Sequence, residues 1–122
     1  MTEDLENKLF NEFPNLYKID DTLQRNLMKF GFMCGDGWFK IIYNLSKKLS
    51  NLNLPDDFEV FEVKEKFGGL RYYVNDGNEE VYKLISEAEE KSYTTCEVCG
   101  KIGKIRNSGW VKTLCDECNN TL

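Results

Sequence analysis

The chain has 122 residues, of which 41% are hydrophobic and 13% aromatic, and a formal net charge of −5. That is the size of one ordinary domain with room for a small appendage, and it is too rich in large apolar side chains for a disordered protein. An acidic chain lacks the broad basic surface that holds proteins on nucleic acid, and the absence of His excludes Ser-His and metal-His chemistry.

Thr2, Glu3 and Asp4 stand where a secretory signal would be basic, and no apolar run approaches the roughly 18 residues of a membrane span. A cytoplasmic protein with no membrane partner is expected. The same three residues open a first helix over about residues 3–13, with Leu5, Leu9 and Phe13 at helical spacing before Pro14 stops it. Leu23, Leu27 and Phe30 suggest a second helix over about 22–30, ending near Gly31. Asp36 is placed to cap a third, over about 36–51, whose apolar positions Trp38, Phe39, Ile41, Ile42, Leu45 and Leu49 favour a core role for Trp38. A β-hairpin is expected over about 58–75, with Gly68 and Gly69 as its two turn residues. Asp76, Gly77 and Asn78 turn the chain into a last helix over about 78–92, striped by Val81, Leu84, Ile85 and Ala88.

Five Cys follow a pattern of their own. Cys96 with Cys99, and Cys115 with Cys118, form two C-x2-C pairs separated by 15 residues, the spacing of a four-thiolate zinc site. Two residues between ligands let one tight turn aim both sulfurs at one ion, and Gly100 permits a positive φ after the second ligand. Lys101 to Arg106 and Trp110 to Leu114 would form two strands around a turn at Asn107, Ser108 and Gly109. With four ligands in place there is no open coordination position, so one structural Zn2+ is expected and no catalytic one. A thioredoxin-like redox motif would be a single C-x-x-C at a helix start, which this is not. Cys34, the odd thiol, reads as a buried apolar side chain. The chain is therefore an α+β protein, with a helical and hairpin body over 1–93 and a C-terminal zinc ribbon over 94–122.

With Gly68 and Gly69 as the turn, Lys66 pairs with Arg71 and Lys64 with Tyr73. One face then carries Phe61, Val63, Phe67, Leu70, Tyr72 and Val74 to cover a core, with Glu65 as an exception. The other face carries Lys64, Lys66, Arg71 and Tyr73. Like charges set opposite each other cost stability unless an anion or an acid lies between them. Two readings follow: the Gly-Gly backbone, the Arg fork and the Tyr ring take a small phosphorylated ligand, or the acids of the last helix neutralise a solvated face. In the ribbon, Lys104, Arg106 and Lys112 flank Trp110, which is either a partner contact or the point where the ribbon docks on the body.

Gly35-Asp36-Gly37-Trp38, Lys64-Glu65-Lys66-Phe67-Gly68-Gly69-Leu70-Arg71-Tyr72-Tyr73, Cys96-Glu97-Val98-Cys99-Gly100 and Leu114-Cys115-Asp116-Glu117-Cys118 together resemble a group of small zinc-ribbon proteins of tailed bacteriophages and prophages. The resemblance spans roughly residues 30 to 118 and carries over no catalytic residue. It implies a phage setting and a non-enzymatic protein that interferes with a host process or defence by binding. The implied partner is a phosphorylated small ligand such as a nucleotide signal, or a host protein. The alternative is a nucleic-acid-binding or transcription-related accessory protein acting through its ribbon.

Overall fold

A computed structural model describes residues 1–19 and 26–121. The fold is α+β, with four α-helices and two antiparallel hairpins among the described residues. Helix α1, Glu3–Glu12, buries Leu9 and ends at Phe13. The helix expected over 22–30 lies partly outside the described residues, and its visible end is a single 3-10 turn, Met28–Phe30, closed by Gly31 at φ 75°. The chain on either side of this turn runs along the strand β1, Val60–Lys66. Leu27 N–H donates to the Phe61 carbonyl at 2.8 Å, and Met33 N–H to the Val63 carbonyl at 3.0 Å, so this segment covers one edge of the body hairpin.

Asp36–Trp38 is a 3-10 turn leading into α2, Phe39–Ser50. Asp36 does not cap α2. Its Oδ1 accepts the Thr2 N–H at 2.7 Å and ties the start of α1 to the start of the turn. Ile42, Leu45, Ser46 and Leu49 recur at helical spacing and face the core. Helix α3, Glu79–Ser92, is capped by Asn78, whose side chain accepts the Val81 N–H at 3.0 Å. It packs on α2 and on the body hairpin.

That hairpin pairs β1, Val60–Lys66, with β2, Gly69–Val74. Its turn is Phe67-Gly68, one residue earlier than expected, so Lys64 faces Arg71 and Lys66 faces Gly69. Both turn residues have positive φ, 54° at Phe67 and 83° at Gly68, which matches the right-handed twist of a two-residue hairpin. Moving the turn by one residue shifts the register by two, so the two faces keep their members along the strands. Two residues nevertheless leave the expected core face. Phe67 becomes a turn residue and is exposed, and an irregularity between Val60 and Glu62 turns Val60 inward and Phe61 out.

Trp38, Ile42, Leu49, Val60, Val63 and Val81 are fully shielded from water in the body core. Within it, Tyr17 Oη bonds Ser46 Oγ at 2.5 Å and Tyr72 Oη at 2.7 Å, so the three buried hydroxyls satisfy one another. The ribbon has a separate and much smaller cluster of Cys96, Leu114 and Cys115, with Cys118 against it. Its strands are β3, Lys104–Ser108, and β4, Trp110–Leu114, displaced from the expected Lys101 start and joined by a turn as narrow as Gly109 at φ 84°. A short helix α4, Asp116–Asn120, follows. No helix among the described residues is long and apolar enough to cross a membrane.

Candidate metal centre

Three local structures bring four sulfurs together. The first C-x2-C turn is closed by Gly100 N–H donating to the Cys96 carbonyl at 2.9 Å, with Gly100 at φ 83°. The β3-β4 hairpin then returns the chain to Cys115, whose sulfur caps α4 by accepting the Cys118 N–H at 3.4 Å. The sulfurs of Cys96, Cys99, Cys115 and Cys118 all lie within 4.8 Å of one another. Cys99 Sγ and Cys115 Sγ are 3.6 Å apart. Two sulfurs of a tetrahedron with Zn–S bonds of about 2.3 Å would sit about 3.8 Å apart.

The protonation chemistry of the cluster asks for a cation. Burial pushes the Cys96 thiol up, but backbone N–H groups of Cys115, Cys99 and Val98 aimed at its sulfur outweigh it and bring it down to about 6. Cys118 moves the other way, to about 12, chiefly through its hydrogen bond to Cys115 and then through burial. Without a cation the four sulfurs cannot all ionise at such distances. A bound divalent ion would release their protons and hold all four as thiolates, and its chemistry there is that of a cross-link, because four protein ligands complete a tetrahedron. The four Cys can hold one metal ion, and the donor set suits zinc.

The centre is seated on the body through contacts that involve the Gly-Asp-Gly-Trp segment. Gly37 N–H donates to the Glu97 carbonyl at 2.8 Å, Gly35 N–H to Glu97 Oε2 at 2.9 Å, and Trp38 Nε1–H to the Thr95 carbonyl at 2.8 Å. A Cβ on Gly37 would stand 2.1 Å from the Cys96 carbonyl oxygen and 2.6 Å from Gly100 N, so only glycine lets the first cysteine turn approach this closely. A second seat lies at the hairpin tip. Thr113 Oγ1–H donates to the Gly68 carbonyl at 2.6 Å, and Lys112 Nζ sits 3.0 Å from Glu65 Oε1 and 3.5 Å from Glu97 Oε1. Burial lowers the affinity of Lys112 for its proton, but the two carboxylates prevail and hold it above its ordinary range.

Glu65, the odd member of the hairpin's core face, is therefore the ribbon's anchor. Trp110 takes no part in the docking and is 79% exposed, whereas Trp38, buried in the body, reaches across to the ribbon. Neither seat was legible from the sequence, although an acid on an apolar face and two glycines around Asp36 were the signals available.

Lys64, Lys66, Arg71 and Tyr73 do share the outer face of the body hairpin. Arg71 Nη1 lies 2.9 Å from Glu89 Oε2 and donates to Tyr93 Oη at 3.0 Å, while Lys64 lies 3.7 Å from Glu62. Lys66 Nζ stands 5.7 Å from the Phe67 ring centroid, and Tyr73 is half-exposed. Gly68 and Gly69 are buried, and Gly68 N–H donates to Glu65 Oε2 at 2.8 Å. A Cβ on Gly69 would stand 2.5 Å from the Tyr93 ring, so the first position of β2 needs glycine while Tyr93 keeps its place. Cys34 is buried, and burial followed by the Glu97 charge pushes its thiol up to about 12, far from a reactive thiolate. The chain matches no protein-family model, no curated protein and no solved structure.

Proposed function

We propose that this is a non-enzymatic binding protein in which one structural zinc ion orders the ribbon, and in which ribbon and helices together occupy a partner protein. The observation that carries the reading is the contrast at the ribbon: its four sulfurs close on a single ion position, while Trp110 and Ile102 stand 79% and 89% exposed. Large apolar side chains held outward by a metal-braced hairpin are contact residues more readily than catalytic ones. Phe67 adds to them. It precedes Gly68, which packs against Val111, the neighbour of Trp110, and it is 68% exposed in a positive-φ conformation that bulky residues avoid. The resemblance to small phage proteins makes a host protein the natural partner.

Charge supports a protein partner over a nucleic acid. Lys101 pairs with Glu117 at 3.6 Å, Arg106 with Asp116 at 2.7 Å, and Lys112 with Glu65 and Glu97, which leaves Lys104 as the ribbon cation without an ion pair among the described residues. A phosphorylated ligand on the hairpin face would have to draw Arg71 away from Glu89 and Tyr93. A photo-crosslinking amino acid at position 110, in protein made in bacterial cells, tests the choice. A covalent protein adduct at 110 that is missing when the crosslinker replaces exposed Lys83 is expected; crosslinks to nucleic acid alone would overturn it. Duplex and single-stranded DNA should show no affinity that falls steeply with salt.

A further inference from the structure

Helix α2 carries Lys40, Lys47 and Lys48 and no acidic residue. Its outer side meets α3 in a shallow open groove, with a cavity volume of about 100 Å³, whose floor is Ile41, Leu45, Leu84 and Ala88. Leu45 and Ala88 are buried, while Ile41 and Leu84 pack on the core with one side and leave the other to solvent. The rim carries Lys40, Lys48 and Lys91 against one carboxylate, that of Glu87. None of the three lysines forms an ion pair with a described residue. In a chain of net charge −5, three unpaired ammonium groups around an apolar floor are a local reversal of sign. A second hollow shares Lys40 and Ile41 and extends to Thr95, Cys99 and Gly100 at the first cysteine turn, so the groove continues toward the ribbon.

We infer that this groove receives an acidic amphipathic helix of a partner protein, its apolar side chains lying on Ile41, Leu45 and Leu84 and its carboxylates reaching Lys40, Lys48 and Lys91. Lys40 and Lys48 are separated by about two turns, or about 12 Å, which matches apolar anchors at i, i+3 or i+4, and i+7 on a guest helix. Two neighbouring helices with a shallow apolar seam are one helix short of a three-helix packing arrangement. The floor carries no aromatic ring on which a base could stack, which disfavours a nucleotide. It is also recessed below its lysines, whereas a membrane-binding surface must project its apolar side chains. The inference rests on the proposed binding function and gives the partner a chemistry and a place.

The test uses the full, metal-loaded protein labelled with 15N and a synthetic helical peptide of about 14 residues, with Leu at i, i+3, i+4 and i+7 and Glu elsewhere on its flanks. A control peptide has Lys in place of every Glu. Saturable shifts of the Ile41, Leu45, Leu84 and Ala88 amides with the acidic peptide only, weakened at least about tenfold by K48E/K91E in an otherwise unchanged spectrum, are expected. No shift in the groove, or equal shifts with the basic peptide, would overturn the inference. So would a response of the same amides to phosphatidylglycerol vesicles in place of the peptide. Shifts confined to Trp110 and Ile102 would remove the groove and leave the binding reading standing. Protein isolated without metal would remove the zinc-based reading while the titration still decides the groove.

Discussion

Body and ribbon are held by different forces. The body shields Trp38, Ile42, Leu49, Val60, Val63 and Val81 completely, enough apolar surface for helices and hairpin to hold one another. Among the described hydrophobic residues of the ribbon, Leu114 alone joins two of the cysteines at comparable depth, and Ile102, Ile105 and Trp110 face solvent. A segment this short cannot offset its backbone entropy with so little burial, and an ion held by the four sulfurs would supply what the apolar core supplies elsewhere. The joint between them uses neither device. It is built of hydrogen bonds, several made by backbone groups brought close by glycines and others by the Trp38 indole, the Glu97 carboxylate and the Thr113 hydroxyl, and of one lysine between two carboxylates.

Removing a metal ligand should separate the two regions most sharply. Cys115→Ser deletes a ligand and the cap of α4 together, and structural zinc is worth on the order of 10 kcal/mol to such units. The amide signals of Lys104 to Leu114 should collapse to unfolded positions while those of α2 and α3 persist. Loss of the α2 and α3 signals as well would show that the body depends on the ribbon.

Gly37→Ala attacks the joint. Its new methyl would collide with backbone on the cysteine turn, which cannot rotate away, and a loss of about 2–3 kcal/mol should appear in urea unfolding with zinc still bound. Alkali probes the body instead. Burial, against the opposing pull of the bonds to Ser46 and Tyr72, holds the Tyr17 phenol above its ordinary 10.0, and burial followed by the Tyr17 charge does the same for Tyr72. Both stay protonated in the fold while the unfolded chain ionises, so this stability is complete below pH 10 and is lost as the pH climbs. The slope should be about 1.4 kcal/mol per pH unit for each phenol, and Tyr17→Phe should make it shallower. Lys112, also held above its ordinary value, adds a smaller loss above pH 10.5 at the joint.

The smallest effect has the opposite sign. Phe67→Asn replaces an exposed aromatic at φ 54° with a residue that tolerates that conformation, and should raise stability by up to about 1 kcal/mol while weakening partner binding. A loss of stability would mean that the Phe67 ring supports the hairpin tip.

The same division explains what could be read in advance. The cysteine spacing names its four ligands because a C-x2-C turn is a local geometry, and α2 and α3 follow from periodicities complete within themselves. The glycine at 69 suggested a turn residue, whereas it stands in β2 where a side chain would meet Tyr93, more than twenty positions away and outside any local rule. Glu65 looked misplaced on an apolar face until Lys112 arrived from the ribbon to meet it. The Gly-Asp-Gly-Trp segment suggested a helix start, whereas its glycines serve the approach of Cys96 and Asp36 serves Thr2. Contacts between elements are specified by both partners at once, and each was visible only as half of a pair.

Amide hydrogen exchange of the reduced protein before and after chelation, with elemental analysis of the same sample, bears most directly on the metal's role. One zinc per chain is expected, with protection lost across residues 96–118 on chelation and kept in α2 and α3. Protein without stoichiometric metal, or a ribbon that stays protected once the ion is withdrawn, would contradict it.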